Sequence, residues 1–480
     1  MSRSSLHQPR HTQTHIANPT STNHYGLYTQ RTTLYEPHLQ RSTLLLPNPN
    51  QRNQTTQWRP LPPLAQHSLY QQRLSQPTIL TNNQISMPLK KILIITDAVT
   101  KPLYTPRVRN IYHYFSQKGI QIDWFTEQYE TIPSDFNIKL HQISFYKYTG
   151  ILGKIEWTVK NILNILFDYK NNYFANKFLT STQNTKYDLV FCSTFHTFGL
   201  KAALKIAQKQ NIPLHIDLRD IAEQCDTNEY NNSKIALGLI SKAYRSINIS
   251  RRNKILKQAH TITTVSPWHV NFLKQINPNT HLIYNGYDAT LFQPQNIKSD
   301  YFDIIYTGKW YGQTLQDPTL LFQALAEINN PQIRLIWYTN TDVHTQISNL
   351  TKQHNLTTPL IINGYVPNNE IPVLLNKSSI ILVLTNKGNR GIMTTKFFEA
   401  IGVEKPILCV RSDEECLAQT IKETNAGLAA TTVDEVKEFI LYHYHQWQKH
   451  GYTHINITNK EQFTRQNQAQ QFEEIFNKII

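Results

Sequence analysis

The stretch "RGIMTTKFFEAIGVEKPILCV", Arg390 to Val410, holds a helix-like segment and a short apolar strand in direct succession. Within it Lys396 and Glu399 stand three apart, a spacing that puts an ammonium and a carboxylate on one face of a helix. They could hold each other, or they could hold a ligand together. The spacing alone leaves both readings open.

Working outward, the same alternation continues in both directions. Strand-like runs on the N-terminal side are "KILIIT", "IQIDWFT", "YDLVFCS", "IPLHIDL", "TITTV" and "HLIYNG", separated by helix-period segments such as "RVRNIYHYFSQKG" and "FGLKAALKIAQKQN". "DIIYTG", "IRLIWYT", "LIING", "SIILVLT" and "KPILCV" repeat the arrangement further on. Strands that alternate with helices predict parallel sheets covered on both faces. The turn-rich segment "NGYDATLFQPQNIKSDY" separates the two series. The expected fold class is therefore α/β: two Rossmann-like, doubly wound domains facing a cleft, with ligands at the carboxyl ends of the strands.

Composition sets the boundary at the other end. From Met1 to Ser86 the chain is rich in Gln, Asn, Thr, Ser and Pro, with seven arginines, no lysine and one carboxylate, Glu36. Such a segment buries too little apolar surface to offset its conformational entropy and reads as a disordered low-complexity extension. The expected division is 1–86 for that extension, 87–295 for a first domain and 296–459 for a second. The closing segment 460–480, "KEQFTRQNQAQQFEEIFNKII", is a suitable amphipathic helix.

No apolar run approaches the ~20 residues of a membrane-spanning helix. The four cysteines, Cys192, Cys225, Cys409 and Cys416, show no metal-binding spacing, which fits a reduced, cytoplasmic setting. Net charge is +15, yet no nucleic-acid motif accompanies it, so no nucleic-acid partner is expected. Two basic and apolar stretches, "ILGKIEWTVKNILNILFDYKNNYFANKF" and "KIALGLISKAYRSINISRRNKILKQ", suit either an anionic membrane surface or an ordinary solvated face.

Several residues are placed where chemistry could occur. Gly391 stands just before an expected helix start whose free N–H groups can receive a phosphate, with Lys396 about a turn further on and Glu399, one face-neighbour along, able to accept from vicinal hydroxyls. Gly308 and Lys309 follow "DIIYT", where a bare glycine lets a phosphate approach and the lysine supplies charge. Arg219 and Asp220 follow "IPLHIDL", and His196 follows "YDLVFCS". Arg107 lies at a loop-to-helix junction suited to an anion. Gly-rich dinucleotide and Walker loops, a nucleophile elbow and DxD are all missing, which argues against dehydrogenases, P-loop enzymes, hydrolases and a metal-bridged diphosphate.

Taken in order, "LRD", "ITTVSPWHVNFLKQ", "LIYNGYD", "YTGK", "GYVPNNEIPVLLNKSSIILVL" and "TTKFFEAIGVEKPIL" resemble the GT-B fold glycosyltransferases, within them the retaining family 4-like enzymes of bacterial surface polysaccharide synthesis. The resemblance spans Lys90 to Ile480 and implies that the closing helix, 460–480, crosses back to the first domain. It implies a metal-independent hexosyltransferase that takes a nucleoside-diphosphate sugar as substrate, needs no cofactor, and passes the sugar to a saccharide or lipid-linked saccharide acceptor at the inner membrane face. It makes Gly308, Lys309, Gly391, Thr395 and Lys396 contacts to the donor, Glu399 the ribose acceptor and Val366 a neighbour of the base. Arg219, Asp220 and His196 become the candidate catalytic residues of the opposite wall. The family pattern wants a carboxylate where this chain has Gly391. An epimerase of the same architecture, or a noncatalytic anion-binding scaffold, is the alternative.

Overall fold

The computed structural model describes residues 89–97, 106–128, 140–195, 197–224 and 238–480, with side chains omitted over 238–242. The expected extension over 1–86 lies outside the described residues, as do His196 and Cys225. Among the described residues the strands form two all-parallel sheets.

The first contains β1 (Lys91–Thr96), β2 (Gln121–Glu127), β3 (Leu140–Ile143), β4 (Leu189–Thr194), β5 (Leu214–Leu218), β6 (Thr261–Thr264) and β7 (Thr280–Leu282), in the order β3-β2-β1-β4-β5-β6-β7. The second contains β8 (Phe302–Thr307), β9 (Ile333–Tyr338), β10 (Leu360–Asn363), β11 (Ile380–Leu384), β12 (Ile407–Val410) and β13 (Gly427–Ala429), in the order β10-β9-β8-β11-β12-β13. Central strands such as "KILIIT" and "IILVL" are apolar almost throughout because helices cover both faces of a parallel sheet. Edge strands β3 and β13, only partly buried, were not expected from their sequence.

In each sheet the strand order reverses beside the first strand, between β1 and β4 and between β8 and β11. Register places Thr96 against Ser193 in one sheet and Ile304 against Ile380 in the other. A crevice opens at the carboxyl ends of the strands at each reversal, and this is where open α/β sheets bind ligands. The fold is the GT-B α/β architecture.

The last helix, Arg465–Ile479, does not stay with the second sheet, to which the preceding residues belong. Its Phe472, Ile475 and Phe476 pack with Ile92, Ile94 and Phe191 of the first sheet and with Val108, Ile111 and Phe115 of the helix Pro106–Gln117. Phe476 stacks on Phe115 at 5.4 Å between ring centroids. Tyr287 forms a parallel bridge with Thr464, accepting from Arg465 N at 2.9 Å and donating to Phe463 O at 2.9 Å, where the returning chain begins. Among the described residues no helix is long and apolar enough to cross a membrane.

Truncating a fully buried phenylalanine at a seam of this kind removes transfer energy and leaves a cavity. Phe476→Ala is expected to cost about 3–5 kcal/mol, read as a lowered urea midpoint; an unchanged midpoint would mean that the helix is dispensable to the first sheet.

Candidate functional site

At the reversal in the first sheet, Asp97 follows β1 and organises what surrounds it. It accepts from Thr194 Oγ1 at 2.8 Å, from Phe195 N at 2.9 Å and from Arg219 Nη2 at 2.7 Å. The Arg219 guanidinium stacks on the Phe195 ring, 3.8 Å from its centroid, while its buried Nε has no hydrogen-bond partner. Thus the arginine expected at the cleft is held by a carboxylate that sequence reasoning did not single out. Its only sequence signal was position, directly after the first strand.

Asp220 is partly buried, and burial pushes its carboxyl up to about 6 despite a hydrogen bond from Gln224 and the charge of Arg219. Gln224 Nε2 donates to Asp220 Oδ1 at 3.2 Å, and its Oε1 lies 2.7 Å from His269 Nε2. That acceptor places the imidazole proton on Nε2. His269 is fully buried, its Nδ1 has no hydrogen-bond partner, and burial lowers its pKa to about 4, which keeps it neutral. Gln224 and His269 were also missed, since neither type at such spacing signals a site.

Arg107 takes a different position from the one expected of an anion contact. Its Nε and Nη2 donate to Asp217 Oδ2 and Oδ1 at 3.0 and 2.9 Å, and Nη1 donates to Tyr284 O at 2.9 Å. The Asp217 carboxylate also accepts from Ser193 and Thr263. Burial alone would raise its pKa, but Arg107 and the two hydroxyls hold it below the usual carboxylate range. The arginine's fork is occupied inside the protein.

The second sheet brings Gly308, Lys309, Lys396 and Glu399 to one edge. Gly308 directly follows β8 with φ 121°, and a side chain there would meet Lys396 Cε at 2.5 Å and Nζ at 2.6 Å. The ammonium is therefore held directly over bare backbone. Lys396 Nζ also lies 5.6 Å from the centroid of the Tyr306 ring, and exposed Lys309 reaches over Tyr311 at 5.0 Å. The helix Thr395–Val403 has Thr394 as its N-cap without a side-chain capping bond, so its leading N–H groups are not satisfied by that hydroxyl. Val366 follows β10, two strands from β8 and about 10 Å away at ordinary strand spacing.

Among the described residues no direct ion pair joins Lys396 to Glu399. Burial depresses the pKa of Lys396, with Glu399 opposing, and pushes Glu399 up to about 7, with Lys396 and Arg465 opposing. The pair is close enough to feel its charges and too far apart to cancel them. Of the two readings of its spacing, the closed local salt bridge is the one this geometry lacks.

Gly391 lies three residues before the N-cap, not at the helix start itself. Its φ is 70°, and a Cβ would stand 2.8 Å from His269 Nε2 and 3.0 Å from Ser266 Oγ. The loop after β11 is thus pressed against the first half of the chain. The carboxylate that the family pattern wants has no room to leave the backbone here.

Comparison with solved structures finds the same fold. A sucrose-phosphate synthase from Thermosynechococcus elongatus is 15% identical, with a TM-score of 0.58 over 81% of this chain and 98% of that one. A glycosyltransferase from Rickettsia africae is 13% identical, with a TM-score of 0.56 over 82% and 99%. Anabaena HepE, solved in complex with UDP and glucose, is 14% identical, with a TM-score of 0.55 over 81% and 99%. No protein-family model matches the sequence, and no curated protein does.

Glu399 has a raised pKa, so its contribution to stability is fully present below its unfolded value of about 4.3 and is lost as pH rises through about 7. Glu399→Gln keeps the neutral form, so the variant's urea midpoint relative to the native protein's should rise between pH 5 and pH 8. A constant difference would contradict the raised pKa. Gly391→Glu is expected to destabilise by about 1–3 kcal/mol, because a side chain at this φ is strained and meets His269. A stable variant with tighter donor binding would show that the loop can accept the family's carboxylate.

Proposed function

We propose that the protein is a glycosyltransferase that moves a sugar from a nucleoside-diphosphate donor to an acceptor hydroxyl. The observation that carries this reading is the Lys396 ammonium held over Gly308 at the carboxyl edge of the second sheet, with Glu399 on the same helix. Two lysines, a glycine whose missing side chain lets Lys396 lie against the backbone and a helix start without a side-chain cap suit a diphosphate. Glu399 suits the ribose hydroxyls, and the loop around Val366 suits the base. The fold shared with HepE, solved with UDP and glucose, supports the same donor class.

In the reaction the bond between the anomeric carbon and the diphosphate oxygen breaks, and the acceptor oxygen bonds to that carbon. The acceptor proton goes to the departing phosphate. Lys309, Lys396 and the backbone N–H groups stabilise the charge that builds on the leaving group, which is electrostatic catalysis without a required metal. We assign retention of configuration, a hexosyl donor and a saccharide or lipid-linked saccharide acceptor on the family resemblance. Asp220 and Arg219, with His196, form the acceptor-side set in this reading.

UDP should raise the melting temperature of the native protein, and Lys396→Met should abolish that rise. The same substitution should lower kcat/KM for transfer by about 100- to 1000-fold. An undiminished UDP response in Lys396→Met would overturn the site. Isomerised donor sugar formed in the absence of acceptor would overturn transfer as the activity.

A further inference from the structure

The helix Gly150–Phe167 is built the wrong way round for a surface helix of a water-soluble protein. It has no buried residue. Polar Glu156, Lys160 and Asn164 are the side chains that turn inward and are hydrogen bonded. Glu156 accepts from Lys147 N and Tyr148 N at 2.9 and 3.0 Å and pairs with Lys160 at 2.7 Å. Lys160 donates to Phe145 O, and Asn164 Nδ2 donates to Tyr244 OH at 2.9 Å.

Ile151, Leu152, Ile155, Val159, Ile162 and Leu166 are left facing solvent, and Ile151 is 78% exposed. At helical spacing these six lie within an arc of about 100°. An ordinary surface helix buries that stripe and hydrates its polar face. Here an unbroken apolar face is presented to the outside.

Charge around the face identifies its partner. The acids of this region are already neutralised: Glu156 by Lys160, Asp168 by Lys201 at 3.3 Å and Arg251 at 3.7 Å, and Glu127 by Lys170 at 2.6 Å. Lys147 and Lys154 are exposed, and among the described residues neither enters an ion pair. Lys154 falls at the border of the apolar arc, about 60° from Ile151. A second copy of this chain would bring the same lysines to the seam, where like charges oppose each other.

We propose that the helix Gly150–Phe167 is a membrane-surface anchor that lies in the interface of an anionic bilayer, apolar face inward and lysines against the headgroups. The helix does not cross the membrane, in keeping with the absence of a spanning helix among the described residues. The proposal stands apart from sugar transfer, because vesicle binding is read without donor or acceptor.

The full-length protein should co-sediment with vesicles of phosphatidylcholine mixed equally with phosphatidylglycerol, and high salt should weaken binding by screening. Ile155→Asp combined with Ile162→Asp should lower the partition at least tenfold while leaving the circular dichroism spectrum and melting temperature unchanged, since both side chains are exposed. Lys147→Glu with Lys154→Glu should lower it several-fold at low salt and less at high salt. Native protein that stays in the supernatant at low salt would overturn the proposal. So would equal, salt-independent binding to pure phosphatidylcholine. A native dimer that Ile155→Asp with Ile162→Asp converts to monomer, without vesicle binding, would overturn it in favour of a second copy.

Discussion

A guanidinium and a carboxylate, both shut away from water, tie together the first half of the chain. Arg107 begins the helix Pro106–Gln117, and Asp217 lies in β5. Through Ser193, Thr263 and Tyr284 the pair also engages β4, β6 and the segment that leaves the sheet. Phe472 of the returning helix lies against the same guanidinium, 4.9 Å from its carbon. Removing either partner of a buried pair strands a charge, at a cost of about 3–5 kcal/mol. The geometry at the carboxyl ends of β1, β4 and β5, where Asp97, Arg219 and Asp220 meet, therefore rests on a charge pair that a ligand need never touch.

The second sheet works by the opposite device. Its cation is not neutralised by a close partner, and Glu399 influences Lys396 without bonding to it. Burial then penalises both charges, which is why one pKa falls and the other rises. Groups left in that condition gain from an anion for the lysine and from donors for the carboxylate. Between the two sheets stands Gly391, whose missing side chain lets the loop after β11 rest on His269, which Gln224 in turn connects to Asp220.

Much of this was legible in advance. Long apolar runs bounded by turn residues revealed the central strands of both sheets, because strands buried on both faces leave an unbroken apolar signature. Strands β3 and β13 escaped because short edge strands with mixed burial leave none. Lys396, Glu399, Gly308 and Lys309 could be picked out by their places after strands or at a helix start. Asp97, Gln224 and His269 could not, since a lone carboxylate, amide or imidazole takes its meaning from what it meets across the fold. Arg107 shows the converse: a conspicuous cation at a helix start whose fork is filled by a carboxylate far away in the chain.

By itself, then, the sequence determined the α/β alternation, the parallel sheets and the type of side chain available at each strand end, because these depend on local periodicity and on the burial that periodicity demands. Only the tertiary structure decided which charges are paired and which are left open. It also decided that a glycine must stand where a glutamate was expected, and that the apolar side of the helix Gly150–Phe167 faces outward. Amphipathic spacing says that a helix has two faces. Which of them meets the protein depends on the polar partners that the rest of the chain brings to it, here Tyr244 and the backbone around Phe145.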